Sequence, residues 1–181
     1  MTDSHEALQR MLDRISPLVL RLLDEPENGS LRQLIRAHIL SGLRLVDGAD
    51  KAILLEFLYE AGLVGGFDGD AGAPVAPRLL LGGADLRKAD LHHRNLGRVH
   101  LAGVILNEAD LQGAYLAGAN LSGADLIHTN LAGADLSAAN LVLADLTGAN
   151  LAGAILIGAS LTPVQLEQAA DISDVRLDAA L

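Results

Sequence analysis

Leucine recurs at every fifth position from Leu81 to Leu161 without a gap, seventeen times in all. Neither regular secondary structure keeps such a series on one side. In an α-helix each step of five rotates the side chain by roughly 140°, and in a straight strand an odd step moves it to the opposite face. Only a chain that turns a corner about every five residues keeps all of these leucines inside.

Four such sides close one coil, so the series predicts about four coils stacked at roughly 4.8 Å. Alanine stands two residues before twelve of the leucines, where a narrow interior admits only a small side chain. Asp or Asn precedes eleven of them, where a short polar group can bond nearby backbone. Glycine stands two residues after nine of the leucines, at the predicted corners, where it is tolerated best. The predicted fold class is an all-β solenoid with a square cross-section.

Two successive units, Ala119-Asn120-Leu121 and Ala124-Asp125-Leu126, resemble the A(D/N)LXX motif of pentapeptide-repeat proteins. The resemblance covers residues 81–161 and implies a right-handed quadrilateral β-helix. It does not imply one function. A subset of the family protects type II topoisomerases by resembling a DNA duplex in width and negative charge, and other members resemble interaction scaffolds.

Composition narrows the functional classes. The net charge of −10 disfavours direct nucleic-acid binding and permits DNA mimicry. Mean hydropathy is +0.32, yet no apolar run approaches the ~18 residues of a membrane span. The absence of cysteine excludes disulfides and thiol chemistry. The N-terminus, with Asp3 and Glu6, lacks the basic start and apolar core of a secretory signal. We expect a cytoplasmic protein without a cofactor.

Four segments follow from the change of pattern along the chain. They are a helical N-terminal segment (1–64), a Gly/Ala/Pro linker (65–78), the repeat (79–162) and a C-terminal cap and tail (163–181). Asp68 and Asp70 in the linker lack the remaining ligands of a calcium loop. The helical segment is interpreted as a cap over the open edge of the solenoid, a role compatible with partner binding.

Local signals predict the individual helices. One helix ends near Ile15, and Ser16 with Pro17 begins a second that runs to about Leu23. A third is predicted over 31–43 and a fourth over 50–61, with Ile53 among its core residues. A capping box at Thr162-Pro163-Val164-Gln165 predicts a short helix through about Ala170.

The first coil departs most from the repeat. Arg94 occupies a site where alanine is expected, so it either turns outward or meets an acidic partner from the helical segment. The candidate basic surface comprises Arg87, Lys88, His92, His93, Arg94 and Arg98. It predicts either a site for an acidic ligand or an irregular coil docked on the cap. No metal site is predicted, because the sequence defines no ligand geometry.

Two further surfaces follow from stacking residues 20 apart. Acidic columns are predicted at Asp90 with Asp110 and at Asp125 with Asp145. An outward apolar patch on two neighbouring sides of the solenoid is predicted from Tyr115, Val142, Leu143, Ile155 and Ile157. This patch predicts a protein partner or a homodimer contact, or else it is covered by the C-terminal tail.

No catalytic constellation is predicted, because outward side chains on a solenoid lack a pocket that excludes water. The sequence predicts a non-enzymatic protein–protein interaction scaffold whose partner is unidentified. The alternative implied by the resemblance is a DNA-mimicking protector or inhibitor of DNA gyrase or another type II topoisomerase. A third alternative is a binding protein for a small acidic ligand at the first coil.

Overall fold

The computed structural model describes residues 2–65 and 79–178. The helices of this part of the chain are α1 (Thr2–Asp24), α2 (Gly29–Gly42), α3 (Gly48–Glu60) and α4 (Pro163–Glu167). None of the helices in these two ranges has the length and apolarity needed to cross a bilayer. The first three precede the repeats and α4 follows them.

Helix α1 is continuous, so the predicted break at Ser16 and Pro17 is wrong. The Ser16 hydroxyl donates to the Leu12 carbonyl at 2.7 Å and does not cap a new helix. Buried side chains continue at helical spacing on both sides of Pro17, at Leu8, Met11, Ile15, Val19 and Leu22. Packing of this face against α2 and α3 outweighs the hydrogen bond that an internal proline removes.

Side-chain caps begin the next two helices. The Asn28 side chain accepts from Leu31 N at α2, and the Asp47 side chain accepts from Asp50 N at α3. Ile53 of α3 was predicted to face the core, which is wrong, because its side chain is 42% exposed. Leu55 is buried in the same helix and was not predicted.

The repeats pair by parallel bridges between residues 20 apart, from Asp85 with Ile105 to Asn140 with Ser160. We number the layers 1 (81–100), 2 (101–120), 3 (121–140) and 4 (141–160). Every leucine of the series from Leu81 to Leu156 is buried. Backbone amides of one layer donate to carbonyls of the next, as from Gly123 N to Val142 O at 2.9 Å. This 20-residue period agrees with four sides per layer.

Every fifth residue from Gly83 to Gly158 stands at a corner of a layer and has positive φ, whether or not it is glycine. The corner residues other than glycine are Lys88, His93, Arg98, Glu108, His128, Ala138 and Leu143. On the flat sides, Asp and Asn accept the amide two residues on, as Asp110 does from Gln112 N at 3.0 Å. Fold geometry therefore dictates these conformations, and glycine at a corner is only the least strained choice.

The lower edge of layer 1 lies against the helical segment. Asp90 N donates to Gly48 O at 3.0 Å, and His100 N donates to Val64 O at 2.6 Å. Gly65 forms an antiparallel bridge with Val99. These bonds satisfy strand-edge amides that would otherwise be open.

Helix α4 interrupts the stack at its upper end. It begins with the predicted capping box of Thr162 and Gln165 but ends at Glu167, before the expected Ala170. After it the chain pairs again, Asn150 with Asp171 and Ile155 with Arg176, so the offset grows from 20 to 21 residues. Residues 171–176 therefore still stack on layer 4. Residues 66–78 of the predicted linker lie outside the described residues, and the four-segment division stays a prediction.

Candidate interaction surfaces

The basic surface of layer 1 consists largely of paired charges. Arg87 binds Asp85 through its Nη2 atom at 2.6 Å, and Lys88 Nζ lies 3.4 Å from Glu108 Oε2 in layer 2. The His92 imidazole contacts the Asp90 carboxylate. Arg98 also has an interaction partner. The use of this surface as a binding site stays a prediction.

Arg94 meets an acidic partner from the helical segment, which is the second of the two predicted alternatives. Its Nη1 atom donates to both carboxylate oxygens of Glu56 in α3, at 2.9 and 2.7 Å. Both side chains are 42% exposed, so the guanidinium is not buried among the leucines. The pair joins α3 to layer 1 at the point where the repeat lacks an alanine.

Three other residues of the joint between the helices and layer 1 were missed by sequence reasoning. Lys51 Nζ of α3 is buried, 3.4 Å from Asp85 Oδ1 and 2.9 Å from Arg87 O. The Tyr59 hydroxyl donates to Gly97 O at 2.9 Å. Arg36 of α2 donates to the carbonyls of Leu80, just before layer 1, and of Gly82 in layer 1, both at 2.7 Å. No sequence signal pairs these residues, because their contacts depend on how the helices dock.

Asp85 is the electrostatic centre of this joint. The Arg87 guanidinium, with a smaller contribution from Lys51, holds the pKa of the Asp85 carboxyl well below its usual range. The carboxylate is largely buried, with 13% of the side chain exposed. Asp85 therefore stays ionised at neutral pH and ties α3 to the repeat.

The predicted acidic columns are each two residues high. Bridges pair Asp90 with Asp110 on one side and Asp125 with Asp145 on another. The first column continues upward through neutral amides: Asn130 Nδ2 donates to Asp110 Oδ1 at 3.0 Å, and Asn150 Nδ2 donates to Asn130 Oδ1 at 3.3 Å. Their role in binding stays a prediction.

Part of the predicted apolar patch lines a groove. Leu143 is 85% exposed and Val142 is 47% exposed. The groove beside them has a volume of about 450 Å³ and is bounded by Leu161 and Gln165 at the start of the C-terminal segment. Gln165 Nε2 donates to the carbonyls of Leu141 and Ala144, both at 2.8 Å, which fixes one wall. The described tail borders this groove and leaves Leu143 exposed.

The remaining patch residues belong to another side. Bridges place Tyr115, Asp135 and Ile155 in one column, and Ile155 is half-buried and paired with Arg176. Tyr115 and Ile157 are 42% and 40% exposed. The two predicted sides are therefore the Leu143 groove and a separate column that contains Tyr115 and Ile155.

A five-residue unit that stacks every 20 residues defines a repeat protein with a leucine-filled interior. The family model described as pentapeptide repeats (8 copies) matches residues 84–123, 95–131, 129–168 and 144–180. These ranges together cover just over half of the chain. The chain therefore belongs to the pentapeptide-repeat family, as its A(D/N)LXX units predicted.

Solved structures similar to the chain include other pentapeptide-repeat proteins. One from the thylakoid lumen of Arabidopsis thaliana is 33% identical, over 50% of this chain and 59% of that one, with a TM-score of 0.43. Rfr23 from the cyanobacterium Cyanothece 51142 is 32% identical over 66% and 77%, with a TM-score of 0.30. QnrB1, a plasmid-mediated fluoroquinolone resistance protein, is 15% identical over 62% and 71%, with a TM-score of 0.31.

These superpositions are weak, so the family assignment rests on the repeat model. The chain spans about three fifths of the Arabidopsis protein. No curated protein matches the chain significantly.

Proposed function

We propose that this protein is a non-enzymatic scaffold that binds a protein partner through the Leu143 groove. The repeats, which we propose to form a right-handed quadrilateral β-helix, hold the groove rigidly. The helical segment is a cap in this proposal, because its backbone carbonyls accept hydrogen bonds from the edge of layer 1. A cytoplasmic location is part of the same proposal.

The observation that carries the proposal is an exposed leucine, Leu143, at a corner that is glycine in the other layers. The three preceding layers place Gly83, Gly103 and Gly123 there, and layer 4 places Leu143 at φ 62°. A side chain in this conformation costs about 1–2 kcal/mol, and exposing leucine to water forgoes its burial. Its conformation and its exposure are both unfavourable for the isolated chain. A partner that covers the groove would recover the exposed apolar area.

The test compares three purified proteins as bait in an extract of the source cell. Leu143→Gly restores the glycine corner and removes the apolar side chain. Ala138→Gly is the matched control, since Ala138 also has positive φ, 55°, and does not line the groove. Quantitative mass spectrometry measures the retained proteins.

At least one protein is expected to be retained by the wild type and by Ala138→Gly and lost with Leu143→Gly. Identical retention by all three baits, or none by the wild type, would contradict the proposal. Thermal melts of the three proteins establish that each bait is folded.

The DNA-mimic alternative requires a continuous acidic face. The two acidic pairs lie on different sides and are flanked by Ile105 and Asn130, which favours the scaffold over the mimic. A gyrase supercoiling assay decides between them. Inhibition or protection that is abolished by Asp125→Lys with Asp145→Lys would favour the mimic.

A further inference from the structure

Two carboxylates and one imidazole converge on layers 1 and 2, away from the Leu143 groove. One ligand atom from each of Asp90, His92 and Asp110 lies within 4.8 Å of the other two. We propose that these three side chains bind a divalent transition-metal ion of the Zn²⁺ class. The site joins two layers, because Asp90 and Asp110 are bridge partners.

Asp110 is held in place for such a role. Its Oδ1 atom accepts from Gln112 N and from Asn130 Nδ2, both at 3.0 Å. Asn130 is oriented in turn by Asn150, whose Nδ2 atom donates to Asn130 Oδ1 at 3.3 Å. Because these bonds fix the carboxylate through one oxygen, the metal would bind the other. Hydrogen bonds of this kind orient a ligand and raise metal affinity.

The Asp90 carboxylate faces a different partner from that of the other aspartates on the flat sides. At Asp125 the Oδ1 atom accepts from the amide of Ile127. At Asp90 the Oδ1 atom instead faces Nδ1 of His92. Both side chains are about half exposed, so an ion can reach them from solvent. The imidazole nitrogen and the lower carboxylate therefore point at one another beneath Asp110.

The two carboxylates and the imidazole together indicate which class of ion would bind. Carboxylates stacked directly on each other repel, and a divalent cation between them removes that repulsion. A nitrogen donor among two oxygens favours zinc-like ions over Mg²⁺ and Ca²⁺. Tetrahedral zinc with bonds of about 2.1 Å places its donors roughly 3.4 Å apart. Rotations of exposed side chains bring the three atoms to that spacing, and water completes the fourth position.

Layer 3 and layer 4 supply an internal comparison. Asp125 and Asp145 are stacked in the same way as Asp90 and Asp110. Ile127 stands where His92 would be, so this second pair lacks the nitrogen donor. The proposal therefore assigns metal binding to the first pair and none to the second.

The experiment titrates ZnCl₂ into the untagged full chain by isothermal calorimetry. The wild type and Asp125→Asn are expected to bind one ion per chain. Asp110→Asn and His92→Ala are expected to weaken binding by more than about tenfold, and Asn130→Ala by about tenfold, since it only orients Asp110. MgCl₂ at the same concentration is expected to give no binding.

Imidazole resonances give a second readout. On addition of ZnCl₂ the NMR signals of His92 are expected to shift, while those of His128 stay in place. Absence of binding to the wild type would overturn the proposal. Unchanged binding by His92→Ala, or equal loss with Asp125→Asn, would overturn it too. Metal-free melts of every variant show that the fold is retained.

Discussion

Corner residues shape the layer above them as well as their own. A Cβ atom built at Gly113 would overlap the ring of His93, and one at Gly148 would overlap the ring of His128. At Gly123 the same Cβ would meet nothing within 4 Å. Glycine therefore lowers the conformational strain at any corner and is needed for space only above a bulky corner residue.

Alanine substitutions separate these two requirements. Gly123→Ala is expected to lower the free energy of unfolding by about 1–2 kcal/mol, the cost of a left-handed alanine. Gly113→Ala has nearly the same φ and is expected to cost roughly 1 kcal/mol more, because the His93 ring must move. Urea denaturation measures both values. In the His93→Ala background the two substitutions should cost the same, and equal costs in the wild type would contradict the spatial role.

Helix α3 approaches layer 1 so closely that its first residue admits no side chain. A Cβ atom at Gly48 would overlap the Lys88 carbonyl, whereas one at Gly29, at the start of α2, would meet nothing within 4 Å. Gly48 O also accepts the Asp90 amide. The docking of the helical segment therefore depends on a glycine that the repeat pattern does not identify.

Substitution of these two glycines tests the docking. Gly48→Ala is expected to destabilise the protein by about 1–3 kcal/mol, because the clash is with backbone. It should also speed hydrogen exchange at the amides of Asp90 and His100. Gly29→Ala is the control and should leave both stability and exchange nearly unchanged, since alanine is a better helix former than glycine. Unaltered exchange in Gly48→Ala would contradict the edge-covering role of α3.

Sequence reasoning succeeded for the elements whose pattern is local. The leucine period predicted the stacking, since neither a helix nor a straight strand accommodates it, and Thr162 with Gln165 predicted the start of α4. It failed at Pro17, where packing of α1 outweighs a local break signal. An acidic partner for Arg94 was one of two predicted alternatives, but its identity as Glu56 and the contact of Lys51 were not predicted, because both follow from how α3 docks. The apolar patch divides between two neighbouring sides, as the 20-residue period predicted.

At the scale of the whole molecule, besides the Arg94–Glu56 pair, the helical segment is joined to the repeats by an ionic cluster centred on Asp85. Its folded-state pKa is lowered, so the stabilisation is complete above the unfolded value of about 3.9 and is lost as the pH falls below it. Asp85→Asn is expected to cost about 3 kcal/mol at pH 7, because it leaves Lys51 buried without its carboxylate. Denaturation at pH 7 and pH 3 should show this cost shrinking. A difference between variant and wild type that is constant over this range would contradict the ionic role.

Helix α4 changes the register of the stack by one residue without ending it. Asp171 and Arg176 resume the pairing on the same sides as Asn150 and Ile155. Five-residue units grafted after Arg176 would therefore have to be aligned to Asp171 and Arg176, whose offset from layer 4 is 21 residues. Units inserted before Thr162 would keep the 20-residue offset. Four units, one full layer, would have to be inserted together so that α4 stays on the same side of the stack. The helix thus separates two numbering frames within one continuous stack of parallel bridges.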